Sequence, residues 1–366
     1  MIRTEPVRIS KWLLPFSWLY GFVVYIRNKF FDWGLLKHEE FEVPVICVGN
    51  ITVGGTGKTP HTEYLVRLLS KQYRVAVLSR GYKRSSKGFV LATDSSTSAM
   101  IGDESFQIKK KYPDTIVAVD ADRRRGIRKL LALENPPEII LLDDAFQHRY
   151  VKPSYTIILS DYNRPVYEDR LLPAGRLREP FSSMRNANMI IVTKCPDDLQ
   201  PIDFRIISHD INVFPYQGLY FTSFTYKNIE PVFSGANQSD SLAALRNKHI
   251  LLVTGIASPK ALLKELSKYT EKIDTLTYPD HHNFGSKDIK HITNTFRGIK
   301  SEDKLILVTE KDAARFVSRD DIDEDLRQRL FYIPIEVTFV GEARDFDEKI
   351  YKHVRENIRN RRLLKK

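Results

Sequence analysis

The run Ile46-Cys47-Val48-Gly49-Asn50-Ile51-Thr52-Val53-Gly54-Gly55-Thr56-Gly57-Lys58-Thr59-Pro60 sets the architecture of this chain. Val43 to Val48 is apolar and rich in β-branched residues, which suits a buried strand. A glycine-rich turn follows, and Thr62 to Leu69 suits a helix. Strand, loop and helix in that order make a phosphate-binding unit: glycines let successive backbone N–H groups converge on a polyphosphate, and the helix N-terminus adds partial positive charge. Gly54, Gly55, Thr56 and Gly57 form the cradle, Lys58 reaches the outer phosphates, and the Thr59 hydroxyl suits a magnesium ion. The usual spacing has a glycine five positions before Gly57, where this sequence has Thr52; Gly54 and Gly55 offset that departure.

Working outward, Arg74 to Ser79 reads as a second buried strand ending at Arg80-Gly81-Tyr82-Lys83-Arg84, and an arginine at a strand's C-terminal end suits an anion. Lys87 to Thr93 gives a short strand. Gly102-Asp103-Glu104-Ser105 opens a helix, a pattern that capping explains. Thr115 to Val119 is another strand, followed by Asp120-Ala121-Asp122-Arg123-Arg124-Arg125-Gly126. Carboxylates there suit magnesium or an acceptor hydroxyl, and helix N-capping also selects Asp. Glu138 to Leu142 runs into Asp143-Asp144-Ala145-Phe146-Gln147-His148. Paired aspartates at a strand end, downstream of a phosphate loop, supply the acidic half of a magnesium–nucleotide site. Thr156 to Leu159 and Met189 to Thr193 continue the sheet. Between them, Leu171-Leu172-Pro173-Ala174-Gly175-Arg176-Leu177-Arg178-Glu179-Pro180 reads as a shaped loop lining the site. Arg80, Gln147 and Arg176 are candidate substrate contacts. Lys194 and Asp197, after Thr193, are faintly similar to a guanine-reading motif, but the spacing is wrong and the match is set aside.

Asn212 to Phe233 is aromatic and alternating, which fits extended linker strands. A second α/β unit then begins: His249 to Thr254, Ile273 to Thr277, Lys304 to Val308 and Phe331 to Val340 read as strands, and the chain closes on a helix with a basic tail. The expected divisions are an N-terminal helical segment (1–38), a nucleotide-binding domain (39–210), linker strands (211–235) and a second α/β domain (236–366). Strands alternating with helices in both halves imply two parallel-sheet sandwiches. Asp280-His281-His282 sits on a strand-end loop, where an Asp beside a His can orient the ring and raise its basicity, making a general base for a hydroxyl. One carboxylate with adjacent histidines and no nearby cysteine is a poor zinc set.

The net charge of +11, from 57 basic and 46 acidic residues, favours a negatively charged partner: nucleotide, phospholipid surface or nucleic acid. No recognition helix, zinc finger or RNA-binding aromatic signature is evident, so nucleic acid is not the expected partner. The two cysteines, Cys47 and Cys195, lie in or beside apolar runs and read as buried small residues. From Trp12 to Ile26 the chain is mostly apolar, flanked by Arg3, Arg8 and Lys11 and by Arg27 and Lys29. That stretch is short for a span, which takes about 20 apolar residues. Two tryptophans, two tyrosines and basic flanks suit an interfacial helix at headgroup level.

Taken as an ordered set, Gly54-Gly55-Thr56-Gly57-Lys58-Thr59-Pro60, Ser79-Arg80-Gly81-Tyr82, Gly102-Asp103-Glu104, Asp143 to His148, Leu172 to Glu179, Asp280-His281-His282 and Thr309-Glu310-Lys311-Asp312-Ala313 resemble the tetraacyldisaccharide 4′-kinase family over nearly the whole chain. The resemblance implies a P-loop kinase-like α/β parallel-sheet sandwich plus a second, smaller α/β domain, with an N-terminal membrane-associated helix. It implies ATP and Mg2+ as cofactors, with Lys58 on the phosphates and Thr59, Asp143 and Asp144 around the metal. Asp122 matches the family's catalytic aspartate, with Asp120 close enough to leave that assignment open, and Asp280 and His281 match its Asp-His pair. It further implies an acylated disaccharide lipid acceptor, a membrane surface as partner, and a place on the cytoplasmic face of the bacterial inner membrane. No protein partner is evident.

Overall fold

Apolar runs that end in one polar residue, among them Val75–Ser79, Ile139–Asp143 and Met189–Thr193, form buried strands of this protein. Its computed structural model describes residues 7–233, 240–256, 258–280, 282–317 and 319–364, with side chains as far as residue 360. The chain divides into two units, one formed by Met1–Ser95, Ile108–Phe224 and Val337–Lys366, the other by Ser96–Gln107 and Thr225–Glu336.

In chain order the elements begin with α1 (Leu14–Asp32), β1 (Val45–Asn50), α2 (Lys58–Leu69), β2 (Val75–Ser79), β3 (Val90–Leu91), α3 (Ser98–Ile101) and α4 (Asp103–Lys111). They continue with β4 (Ile116–Val119), α5 (Arg123–Leu131), β5 (Ile139–Asp143), β6 (Tyr155–Asp161), β7 (Met189–Thr193), α6 (Pro201–Ile211) and β8 (Gly218–Tyr226). Then come β9 (Glu230–Pro231), β10 (His249–Thr254), α7 (Lys260–Leu266), β11 (Ile273–Thr277), α8 (Ser286–Gly298), β12 (Lys304–Thr309) and α9 (Glu310–Phe316). The last are α10 (Glu324–Arg329), β13 (Leu330–Ile333), β14 (Ile335–Phe339) and α11 (Ala343–Leu364).

The first unit holds a nine-stranded sheet in the order β14-β8-β7-β6-β1-β5-β2-β4-β3. Strands β1, β2, β5 and β7 are buried at every position, as continuous apolar runs covered on both faces must be. Leu78, Cys47 and Leu142 pack with Ile127 and Leu130 in one core cluster, while Ile158, Ile190, Val192 and Cys195 pack with Ile207 and Phe221 in another. Burial pushes the thiols of Cys47 and Cys195 up to about 12, so both act as small apolar residues. β1 lies between β5 and β6, parallel to both, with Val48 opposite Asp143 and Asn50 opposite Leu159. Central placement of β1 brings the loop after Asn50 to the C-terminal edge of a parallel sheet, where α/β folds bind ligands.

The second unit carries a five-stranded sheet ordered β11-β10-β12-β13-β9. Its core gathers Leu251, Val253, Phe284, Ile292, Phe296, Ile306, Val308 and Phe316 on one side of the sheet.

Three features differ from the sequence expectation. Both sheets are mixed: β3 runs antiparallel to β4 and β9 antiparallel to β13. The aromatic stretch expected as a linker contributes β8, a full member of the first sheet parallel to β7, because Tyr220, Phe221 and Thr222 are buried in it. Phe331 to Val340, expected as one strand, is two strands of different sheets separated at Pro334, which has no N–H for a ladder. The residues after this break, from Val337, therefore fall in the first unit, not in a domain running from 236 to 366. α11 is fastened there by Tyr351 to Leu68 O at 2.7 Å, Tyr64 to Asp347 at 2.8 Å and His353 to Ser154 at 3.0 Å.

α1 buries only Ser17, Val24 and Phe31, one narrow stripe at seven-residue spacing. Outside that stripe Trp18, Leu19 and Phe22 are 73%, 63% and 60% exposed. Among the described residues no helix is long and apolar enough to cross a membrane.

Candidate active site

The loop from β1 to α2 is built around a buried amide. Asn50, at the end of β1, donates from Nδ2 to Thr56 Oγ1 at 2.8 Å and to Thr52 Oγ1 at 3.3 Å. Thr52, which departs from the usual glycine, thus acts as an acceptor inside the loop, and it bridges to Leu177 on the far side. Gly57 has φ +86°, and a Cβ there would lie 2.6 Å from Phe224 Cζ, so conformation and space both require glycine. Gly54 and Gly55 are exposed at the tip.

Lys58 and Thr59 open α2, both half-buried. Lys58 Nζ stands 3.6 Å from Asp144 Oδ1. Asp144 follows β5 in the left-handed region, at φ +49°, a conformation that costs a non-glycine residue about 1–3 kcal/mol. Arg178 Nη2 donates to Asp144 Oδ1 at 2.9 Å and to Asn50 Oδ1 at 2.5 Å, tying loop and carboxylate together. Burial acts to raise the Asp144 pKa, but Lys58 and Arg178 outweigh it and hold the carboxyl below its usual range. Its neighbour Asp143 is buried and accepts from Thr62 Oγ1 at 3.3 Å. The shaped loop expected between β6 and β7 does border this site: Arg178 N donates to Ile51 O at 2.7 Å, and Val53 N donates to Arg176 O at 2.8 Å.

The candidate substrate contacts take different places. Gln147 spends its amide on Asn50 O at 2.7 Å. Arg176 is tied by its backbone, with N donating to Asp169 Oδ1 at 3.1 Å, and leaves its side chain exposed. Arg80 is exposed at the end of β2.

Asp120 and Asp122 are physically distinct. Asp120 is fully buried; it accepts from Arg125 at 2.8 and 2.7 Å and from Asp122 N at 3.0 Å. Asp122 is half-buried, caps α5 by accepting from Arg124 N at 3.0 Å, and pairs with the Arg124 guanidinium at 3.2 Å. Burial works to raise the Asp122 pKa, while the Arg124 bonds win and hold it low, so the group is ionised at neutral pH. Arg123, one of the arginines that the sequence suits to phosphate contact, is buried and donates to Asp120 O and Ala121 O at 3.2 and 3.1 Å.

In the second unit Asp280 lies just past β11, and its Oδ1 is 3.4 Å from Lys311 Nζ, which is also 3.4 Å from Glu104 Oε1. Fully buried Asp312 accepts from Gly255 N at 2.9 Å, Thr309 Oγ1 at 2.7 Å and Arg315 at 2.7 Å; Arg315 also holds Asp103 at 2.9 and 2.8 Å. The Gly102-Asp103-Glu104 motif, which capping alone explained in the sequence, is thereby joined to Thr309-Glu310-Lys311-Asp312 inside one unit. His282 is stacked on Tyr278 at 4.8 Å and bonded to Asp288 at 3.0 Å, a structural use for that ring. His281, the expected catalytic histidine, lies outside the described residues.

A last feature carried no signal in the sequence. Glu179, buried, is gripped by Arg27 and by Asn28 Nδ2, the latter at 2.9 Å, and Tyr20 donates to Arg178 O at 3.0 Å. Ser17 donates to Leu171 O at 2.9 Å, so the polar side of α1 is bonded along the loop that carries Arg178.

With this geometry in place, comparison with known proteins is specific. The family model described as tetraacyldisaccharide-1-P 4′-kinase matches residues 9–355. A tetraacyldisaccharide 4′-kinase of Bacteroides thetaiotaomicron is 53% identical over 97% of this chain and 96% of that relative, and one of Parabacteroides distasonis is 53% identical over the full length of both. The crystal structure of LpxK from Aquifex aeolicus in complex with ATP superposes with a TM-score of 0.73 at 29% identity, covering 94% of this chain and 99% of that one. This chain belongs to the tetraacyldisaccharide 4′-kinase family.

Proposed function

We propose that this chain transfers the γ-phosphate of ATP to the 4′-hydroxyl of tetraacyldisaccharide 1-phosphate, giving the 4′-phosphorylated lipid A precursor, lipid IVA. The observation that carries the reading is the arrangement of Lys58 and Asp144: a phosphate-loop lysine 3.6 Å from an ionised strand-end carboxylate. Phosphoryl transfer through a loose transition state asks a protein chiefly for alignment and charge neutralisation. The loop amides and Lys58 supply both for the β- and γ-phosphates.

The oxygen donors of Thr59, Asp143 and Asp144 suit a hard divalent cation, and magnesium is the ion this set would hold. When bound, magnesium offsets charge on the phosphate oxygens. Asp144 stays ionised through Lys58 and Arg178, and Asp143 is oriented by Thr62.

The sugar hydroxyl is a poor nucleophile at neutral pH, so its proton needs an acceptor. Asp122 suits that role better than Asp120: both carboxylates are paired with an arginine, but Asp122 is ionised and half-buried, whereas Asp120 is fully buried. The family resemblance gives His281, oriented by Asp280, as the alternative acceptor. Arg80 and Arg176, exposed, remain candidate contacts for the anionic acceptor.

The acceptor is amphipathic, and each buried acyl methylene is worth roughly 0.8 kcal/mol, so catalysis belongs at a membrane surface. The exposed Trp12, Trp18 and Phe22 suit insertion among headgroups on the cytoplasmic face of the inner membrane, with Arg8, Lys11 and Lys29 near anionic lipid. Incubation of the full chain with ATP, magnesium and the acceptor in detergent micelles tests the reading. Mass spectrometry should find the acceptor heavier by one phosphoryl group, with negligible ATP hydrolysis when the acceptor is left out. Acceptor-independent hydrolysis with unmodified lipid would instead indicate a nucleotide-driven switch.

A further inference from the structure

Three successive carbonyls of the phosphate loop are each bonded to a side chain. Gly55 O accepts from Lys194 Nζ, Thr56 O from Thr193 Oγ1 at 2.9 Å, and Gly57 O from His61 Nδ1 at 2.8 Å. His61 belongs to α2, four residues beyond its carbonyl. Thr193 and Lys194 come from the end of β7, distant in sequence, and neither has a part in the chemistry above.

A trans peptide is planar, with its C=O and N–H opposed, so fixing one carbonyl fixes the direction of the next N–H. Holding Thr56 O and Gly57 O turns the N–H groups of Gly57 and Lys58 the opposite way. The N–H of Thr56 closes the tip by bonding Gly54 O at 3.1 Å. Carbonyls aimed at a polyphosphate would repel it, whereas converging N–H groups attract it. Orientation of these peptides therefore decides whether the loop binds an anion.

The pair is built for that position. Thr193 is fully buried, and its β7 position lies opposite Asp161 of β6. Lys194 takes a left-handed backbone, φ +58°, and its ammonium is shared between Gly55 O and Asp161 Oδ2, the latter at 2.6 Å. Asp161 thus directs the cation onto the loop.

We propose that Thr193 and Lys194 are positioning residues for the nucleotide: Thr193 caps the Thr56 carbonyl so that the Gly57 N–H faces the triphosphate, and Lys194 holds the Gly55 carbonyl so that it does not face the anion. This rests on the ATP reading above and deepens it: the aspects it adds are two residues that touch no reacting atom and act through the loop backbone.

Calorimetric titration of magnesium ATP into the full chain tests it, comparing wild type with Lys194→Met, Lys194→Arg and Thr193→Val. Lys194→Met should bind ATP about tenfold more weakly, the equivalent of one charge-assisted hydrogen bond, and Lys194→Arg should recover part of the loss. KM for ATP should rise in step, with KM for the lipid acceptor and the unfolding midpoint close to wild type; a merely structural lysine would lower the midpoint and leave the two KM values in proportion. Lys194→Met binding ATP as tightly as wild type overturns the proposal. If Lys194→Met does not fold, Thr193→Val decides in the same way, weaker ATP binding supporting the pair and unchanged binding refuting it. Wild type that binds no ATP would refute the kinase reading itself, a different failure from a variant that binds like wild type.

Discussion

Arg178 donates to Asp144 Oδ1 at 2.9 Å, and the next residue, Glu179, is buried in the grip of Arg27 and Asn28 of α1. One dipeptide therefore joins the acidic edge of the nucleotide site to the helix whose outer face is exposed tryptophan and phenylalanine. The consequences separate into charge at Asp144 and anchoring at Glu179.

Removing the Arg178 charge should weaken the site electrostatically. In Arg178→Met the Asp144 pKa rises, because Lys58 and the more weakly acting Arg123 are left to oppose the effect of burial. A depressed carboxyl pKa keeps the charged form down to low pH, so the variant should lose activity at a higher pH than wild type as acid is added. The rate of transfer at neutral pH should fall about tenfold or more, the worth of a charge-assisted bond. A pH–rate profile with an unmoved acidic limb would separate Arg178 from Asp144 function.

Anchoring is a matter of stability. Arg27→Ala leaves the buried Glu179 carboxylate with Asn28 as its side-chain partner, and should cost roughly 1–3 kcal/mol in urea unfolding. Glu179→Gln, which keeps the shape and lowers the demand for a cation, should cost less than Arg27→Ala. Equal stability of Arg27→Ala and wild type would show that this pair does not hold α1.

His61 predicts an acid sensitivity. Gly57 O can only accept, so Nδ1 carries the proton and Nε2 faces the Thr222 hydroxyl at 3.1 Å. Burial pushes its pKa down to about 4 from the ordinary 6.5. Between those values the unfolded chain binds a proton that the folded chain refuses, so stability falls as pH drops from about 6.5 toward 4, by roughly 3 kcal/mol in all. His61→Gln should flatten this part of the stability–pH curve; an equally steep curve would place the sensitivity elsewhere.

The two aspartates after β4 should separate in function. Asp122→Asn keeps a good helix cap and removes the charge, so ATP binding and folding should persist while turnover falls about 100-fold or more. Asp120→Asn should chiefly lower the unfolding midpoint, since it disturbs the buried bonds to Arg125 and Asp122 N. The reverse pattern, turnover lost only at Asp120, would exchange their roles.

The strand-end residues were readable because each signal is local. An apolar run followed by Asn50, Arg80, Asp122 or Asp143 declares both a parallel strand and the edge where its polar residue emerges. Long-range partners were not readable. Nothing near Glu179 announces Arg27, and nothing near Lys194 announces Gly55 O; the weak guanine-motif similarity of Lys194 and Asp197 was set aside, although Lys194 and the Thr193 before it rest on the phosphate loop. Division of Phe331–Val340 between two sheets was hidden because apolar alternation continues across Pro334, and only pairing partners distinguish the halves. Thr52 shows the opposite case, a departure from a consensus that Asn50 explains once its hydrogen bond is known.

Transfer of labelled γ-phosphate from magnesium ATP to tetraacyldisaccharide 1-phosphate in mixed micelles, with the intact chain beside Lys58→Ala, separates a lipid kinase from a switch ATPase and ties the activity to the phosphate loop. The kinase account predicts labelled lipid from the intact chain and almost none from the variant. Free labelled phosphate without labelled lipid, or equal labelling by both proteins, would contradict it.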